Sequence, residues 1–348
     1  MTMKINMDNF TLRRVGYTAK FRMKTTVLGE NEARQLERLL SYVDVGGGIK
    51  TTPFHEAAEL GLEVKDAVEA WDINGIESGS SEGERAAMLK MLDETGNTPL
   101  HWAVRKGHTQ VVMDLLEAGA KTYSTDKDGR TPIMVAAANN AIECMALLLA
   151  EGTSTINSRQ KSKSRYVSDI NKRDPRGLTA LHLAAENGNF SLVQLLLDKG
   201  ASPLSRDKEG WTALHFAACC ERNGADADQI AATLDLLINE PNTNIDSRTQ
   251  DGETPFMAAV RLNQLIAVRF LANAGASYTT ITNDSMNLLH YSALYANFEV
   301  LAFLNSIGIS GTAPKGCGSD SQRRKNLLHS FNYTKWLEIK LSGKIFHC

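Results

Sequence analysis

Eight histidines and five cysteines are the residues of this 348-residue chain best able to do chemistry. Imidazole serves general acid–base catalysis and metal ligation, and thiolate serves nucleophilic attack. Both need unlike partners converging at one place. His55, His101, His182, His215, His290 and His329 instead each stand fourth in a recurring string, and His108 follows Gly107 in a Gly-His turn. Only His347 lies outside such a context. No H-E-x-x-H, G-x-S-x-G or G-x-x-x-x-G-K-[ST] occurs. Cys144, Cys219, Cys220, Cys317 and Cys348 show no C-x-x-C spacing, which excludes the commonest zinc patterns and suits reduced thiols. The adjacent Cys219-Cys220 reads as two small residues after Ala217-Ala218 rather than as a reactive pair. The expectation is therefore no catalytic residue, no metal and no cofactor.

The string that carries the histidines is best seen at Asp93-Glu94-Thr95-Gly96-Asn97-Thr98-Pro99-Leu100-His101-Trp102-Ala103. It returns from Asp126, Asp174 and Asp207, with looser copies from Thr249 and Thr282. Thr98 to Thr131, Thr179 to Thr212 and Thr254 to Asn287 are each 33 residues. The longer gaps are the same period plus an insertion. Each position has a physical reason. Asp and Gly make a tight turn, Gly by accepting positive φ. Thr suits an N-cap, and Pro at the first helical position loses no needed N–H. Paired alanines let neighbouring helices approach. A Leu-rich second helix, Val193 to Leu197, stops at Gly200, with Gly119, Gly152, Gly275 and Gly308 at the same offset.

A T-P-L-H-x-A core at a 33-residue period resembles the ankyrin repeat. The resemblance implies an all-α solenoid of stacked helix–turn–helix units with short β-hairpin-like finger turns. It implies that the fourth-position His ties backbone between neighbouring repeats. The expected domains are a leader over 1–50, a repeat domain of about seven repeats over 51–310, and a basic segment over 311–348 that ends the array as a degenerate capping repeat. Insertions fall near 76–88, 153–170 and 221–228. Met134 and Met257 replace the His in repeats three and six, so their helix pairs should survive with one side-chain bond lost. The leader is basic before Glu30. The absence of Ser enrichment argues for a solvated arm rather than a transit sequence, with a helix over Glu30 to Tyr42. The 153–170 loop is basic and hydroxyl-rich; it reads as a surface loop, with phosphorylation the functional alternative.

A net charge of −2 gives no general attraction to nucleic acid or anionic membrane, and no apolar run approaches the ~18 residues of a membrane span. The function implied is a non-enzymatic scaffold or adaptor of the cytoplasm or nucleus that binds a partner protein through its concave face and finger tips. The alternative is a regulatory or substrate-receptor segment of a larger enzyme such as a ubiquitin ligase or kinase. Counted from each Thr, the slots such a surface uses hold Asn97, Arg105, Lys106, Arg130, Asn139, Arg176, Leu178, Glu186, Asn187, Lys208, Glu209, Trp211, Glu253 and Arg261. Trp211 is the expected anchor, because Trp and Arg dominate hot spots. Folding of its ring onto the neighbouring finger is the alternative.

Overall fold

The computed structural model describes residues 10–14, 17–21, 53–61, 89–154, 170–220, 226–295 and 298–308. The leader helix, most of the 153–170 loop and the segment 311–348 lie outside the described residues. Thirteen helices are present among the described residues, and the fold is that of an all-α ankyrin-repeat protein. A hairpin of β1 (Phe10–Arg14) and β2 (Tyr17–Phe21) precedes them, pairing antiparallel from Phe10 with Phe21 to Arg14 with Tyr17. The strands stand in a region where the sequence reading placed none.

The chain divides into two compact units, 1–175 and 176–348. In the first unit α1 (Pro53–Leu60) packs on α2 (Pro99–Lys106), which pairs with α3 (Thr109–Glu117) and leads to α4 (Pro132–Ala138) and α5 (Ile142–Ser154). In the second, the pairs are α6 (Ala180–Glu186) with α7 (Phe190–Asp198) and α8 (Ala213–Ala217) with α9 (Ala227–Asn239). They are followed by α10 (Pro255–Arg261) with α11 (Leu265–Asn273) and α12 (Leu288–Tyr295) with α13 (Phe298–Ser306). Each first helix also packs on the first helix of the next repeat within its unit, as α6 does on α8.

The cores are what the small-residue pattern requires. Ala103, Ala136-Ala137, Ala184-Ala185 and Ala217-Ala218 are fully buried between helices, and Leu115, Leu148, Leu192, Leu196, Leu234 and Leu271 fill the layer behind them. One repeat has no second surface for its apolar face, so neighbour interfaces carry the stability. Thr98, Thr131, Thr179, Thr212 and Thr254 are the N-caps, in extended backbone, with Pro following in three cases. Gly200 adopts φ +90 where α7 stops. Gly152 does not act this way: α5 runs through it to Ser154. Repeat five ends differently because Pro241 forces Glu240 into extended backbone, at φ −65 and ψ 140.

Candidate protein-interaction surface

The histidine motif sets the scaffold. His101 Nδ1 accepts from the Thr98 N–H at 3.3 Å and from its hydroxyl at 2.7 Å, while Nε2 meets the Arg130 carbonyl at 3.0 Å. A carbonyl oxygen only accepts, so the ring carries its proton on Nε2 and is neutral. The His thereby takes the place of the Glu of a usual capping box and spends its other nitrogen on the next repeat. His55 reaches Asn97 O at 3.0 Å, His182 Ser205 O at 3.0 Å and His215 Glu253 O at 3.3 Å. Burial lowers the pKa of His55, His101 and His290, and takes that of His215 down to about 4. This is the backbone tie that the resemblance implied.

The fingers are closed by their first residue. Asp126 Oδ1 accepts the N–H groups of Asp128 and Arg130, and Asp207 Oδ1 those of Glu209 and Trp211. Adjacent fingers join through Lys127 N to Gly96 O in the first unit. In the second they join through Lys208 N to Arg176 O, Gln250 N to Glu209 O and Asn283 N to Asp251 O, all at 2.8–2.9 Å. Gly177 at φ +87 is required here, since a Cβ would stand 2.9 Å from Lys208 N.

In the first unit the expected binding residues separate into two roles. Asn97 is 3% exposed and wholly engaged: it donates to Asp93 Oδ1 and Thr95, and accepts from His55 and Arg105. Arg105 and Lys106 stand outside it, their charges 5.3 and 5.6 Å from the Trp102 ring. Trp102 is half-buried, and its indole N–H donates to Asp93 Oδ2 at 2.6 Å. This Trp was absent from the expected set. Its spacing of three and four residues from Arg105 and Lys106 on one helix was the available signal. Arg130 is half-buried, and Asn139 is exposed with its amide turned back to Val135 O.

In the second unit Arg176, Glu186, Lys208 and Glu209 are exposed and Asn187 half-buried. Leu178 (4% exposed) and Glu253 (7%) are buried, so with Asn97 they correct the expectation that these slots face solvent. Leu178 precedes an N-cap and joins the core. Glu253 holds Arg261 in a two-point ion pair at 2.7 and 3.1 Å. Trp211 is half-buried, 5.2 Å from Phe216 and 5.6 Å from His215, with the Arg261 guanidinium 6.0 Å from its ring. It therefore packs on its own first helix while one side stays open. Phe216, also outside the expected set, completes this aromatic contact. Tyr291 lies 5.7 Å from Tyr295, and burial, then the Glu253 carboxylate, pushes its hydroxyl up to about 12. The arrangement offers flat aromatic area with fixed cations. No group of metal-ligating side chains is present among the described residues.

A family model for ankyrin repeats (three copies) matches residues 54–160, 161–227 and 224–314, and the chain belongs to the ankyrin-repeat family. It is 40% identical over 129 residues to human transient receptor potential cation channel subfamily A member 1, across 36% of this chain and 10% of that protein. It is 30% identical over 190 residues to the nuclear factor NF-kappa-B p105 subunit of Gallus gallus, across 54% of this chain and 17% of that one. The match thus spans less than a fifth of either curated relative. Among solved structures, the ankyrin repeat domain of Bcl-3, a member of the IkappaB protein family, superposes with a TM-score of 0.54 at 25% identity, covering 73% of this chain and 98% of that domain. The human ASB11 ankyrin repeat domain shares the fold, with a TM-score of 0.52 at 20% identity over 75% of this chain and 99% of that one. Ankyrin repeats are protein–protein interaction modules. No helix among the described residues is long and apolar enough to cross a membrane.

Proposed function

We propose that this chain is a non-enzymatic scaffold or adaptor that holds a partner protein against its finger tips and first-helix ends. The observation that carries the reading is the pair of half-buried tryptophans with cations fixed beside them. Trp102 has Arg105 and Lys106, and Trp211 has Arg261. An aromatic face held rigid by its own repeat loses little entropy on binding, and Arg beside it is oriented before the partner arrives. In the first unit Lys106 is exposed beside Trp102, and in the second Arg176, Lys208 and Glu209 are exposed. Cytoplasm or nucleus suits Cys144, Cys219 and Cys220 as reduced thiols.

The test uses the full chain as bait. Trp211→Ala, assayed well below its melting temperature, should weaken a captured partner by ~2 kcal/mol or more, about 30-fold. Undiminished affinity with a lowered melting temperature assigns Trp211 to packing alone and removes it from the surface. The much greater length of the relatives supports a second reading, in which the array serves as a receptor segment of a larger enzyme such as a ubiquitin ligase or kinase. Transfer of ubiquitin or phosphate to the captured partner would favour that reading.

A further inference from the structure

Repeat seven keeps the local half of the histidine motif and lacks the other half. His290 Nδ1 lies 2.6 Å from the Asn287 side-chain oxygen, which also accepts from the His290 N–H at 3.0 Å; a carboxamide oxygen only accepts, so Nδ1 carries the proton here. Its Nε2 has no partner among the described residues, and the ring is half-buried, whereas His55, His101, His182 and His215 are at most 2% exposed. Around the connection from α12 to α13, Leu294, Tyr295 and Phe298 are 54%, 48% and 59% exposed. Repeat four holds Glu186 and Asn187 in the slots of Leu294 and Tyr295. Three large apolar side chains this exposed at one end of the array mark a surface awaiting a cover.

The other repeats show what that cover provides. The acceptor for Nε2 is the carbonyl just before the next N-cap in three of four cases: Asn97 before Thr98, Arg130 before Thr131, Glu253 before Thr254. Asn326-Leu327-Leu328-His329 repeats Asn287-Leu288-Leu289-His290, so Lys325 stands in that place. The same register puts Ser321 where Thr249 and Thr282 accept a finger N–H through their hydroxyls. It puts Gln322 where Lys208, Gln250 and Asn283 donate to the third residue of the preceding finger. That third residue in repeat seven is Asp284, exposed like Asp251 one finger earlier, and the arriving finger reads Arg323-Arg324-Lys325. Charge complements charge. Beyond it, the slots of Leu192, Val193 and Leu196 hold Ile339, Lys340 and Gly343, so a second helix there would keep only one of these three apolar positions. Terminal units of such arrays are polar on the outside for this reason.

We propose that residues 321–341 of this same chain dock on the α12–α13 end as an eighth, closing half-repeat, with the Gln322 N–H donating to the Asp284 carbonyl. The 39 residues from Asn287 to Asn326 are the 33-residue period plus six, which lengthens the connection after Gly308 without changing the register. Tyr295 and Leu294 then pack against the arriving helix.

The test is made in the full chain with Leu328→Asp, which places a carboxylate in the slot of the buried Leu181, Leu214 and Phe256, and with Leu328→Met, which keeps volume and polarity. Amide exchange in α12 and α13 should accelerate tenfold or more in L328D and stay unchanged in L328M. Exchange in repeats two to five should be the same in all three proteins, which separates undocking from global unfolding. The His290 imidazole, followed by NMR, should titrate closer to 6.5 in L328D. Equal exchange of α12 and α13 in L328D and the parent protein overturns the proposal. So does a parent protein whose mass by light scattering is that of a dimer converted to monomer by L328D, since a second copy would then be the cover.

Discussion

Repeats five and six are joined through a buried histidine, and repeats six and seven are not. At the first junction His215 Nε2 donates to Glu253 O, Thr212 and Ser247 hydroxyls lie 3.5 Å apart, and Arg206 reaches Arg248 O at 2.6 Å. At the second, Met257 fills the His slot at 1% exposure and offers no N–H. The finger ties of the first junction, where the Gln250 amide also donates to Lys208 O, recur at the second. Arg248 donates to Ile281 O, the Asn283 amide to Gln250 O, Asn263 to Tyr295 O, and Asp246 accepts from Ser277 N. The apolar layer is common to both: α9 packs on α11 as α11 packs on α13. The first junction thus adds a buried, neutral histidine bond to finger ties that both junctions share.

The largest effect should come from the layer the two junctions share. Leu234→Ala, at a fully buried site in α9, should cost roughly 2–5 kcal/mol in chemical denaturation. If it costs less than loss of the histidine, the polar ties and not the apolar layer decide the joint.

Acid should then separate the junctions. The pKa of His215 is depressed from 6.5 to about 4 by burial, so the unfolded chain binds the proton more readily than the folded one. Its contribution is complete above pH 6.5 and is lost as pH falls toward 4, in total roughly 3 kcal/mol. The denaturation midpoint between pH 7 and 4 should show this slope and lose that share of it in His215→Ala. An unchanged slope would place the pH dependence elsewhere.

His215→Ala itself should cost ~1–3 kcal/mol at pH 7, because Glu253 O and the Thr212 N–H lose a partner inside the protein. Met257→Ala opens a cavity but leaves no such group unpaired, so its cost should carry no pH dependence. The smallest change is Arg248→Ala, about 1 kcal/mol, with faster amide exchange confined to repeats six and seven. Spread of the effect into repeat four would show that the finger bonds couple the stack at longer range.

Much of this was legible in residue types. Thr98, Thr131, Thr179, Thr212 and Thr254 cap helices because a hydroxyl one position before a helix has an orphan N–H to serve, whatever the surroundings. His in the fourth slot was readable as structural, since the same residue at one offset in so many repeats fits a repeated bond better than a single reaction. The interaction surface was less legible. Asn97, Leu178 and Glu253 occupy slots that face solvent in a generic repeat, yet are buried here by Arg105, by the core and by Arg261.

The amino-acid sequence by itself determined the period, the helix starts, the turns and the identity of the bridging histidines. Those depend on local geometry: a cap three residues from its N–H, a turn needing positive φ, an alanine where helices touch. Only the tertiary structure decided which cations meet an aromatic ring and which acceptor each His Nε2 finds, Ser205 O for His182 among them. Those contacts join side chains 23 to 42 residues apart or set one rotamer against another, and their outcome depends on how adjacent repeats seat. A slot pattern counted along one repeat carries no information about the residue that the next repeat lays across it.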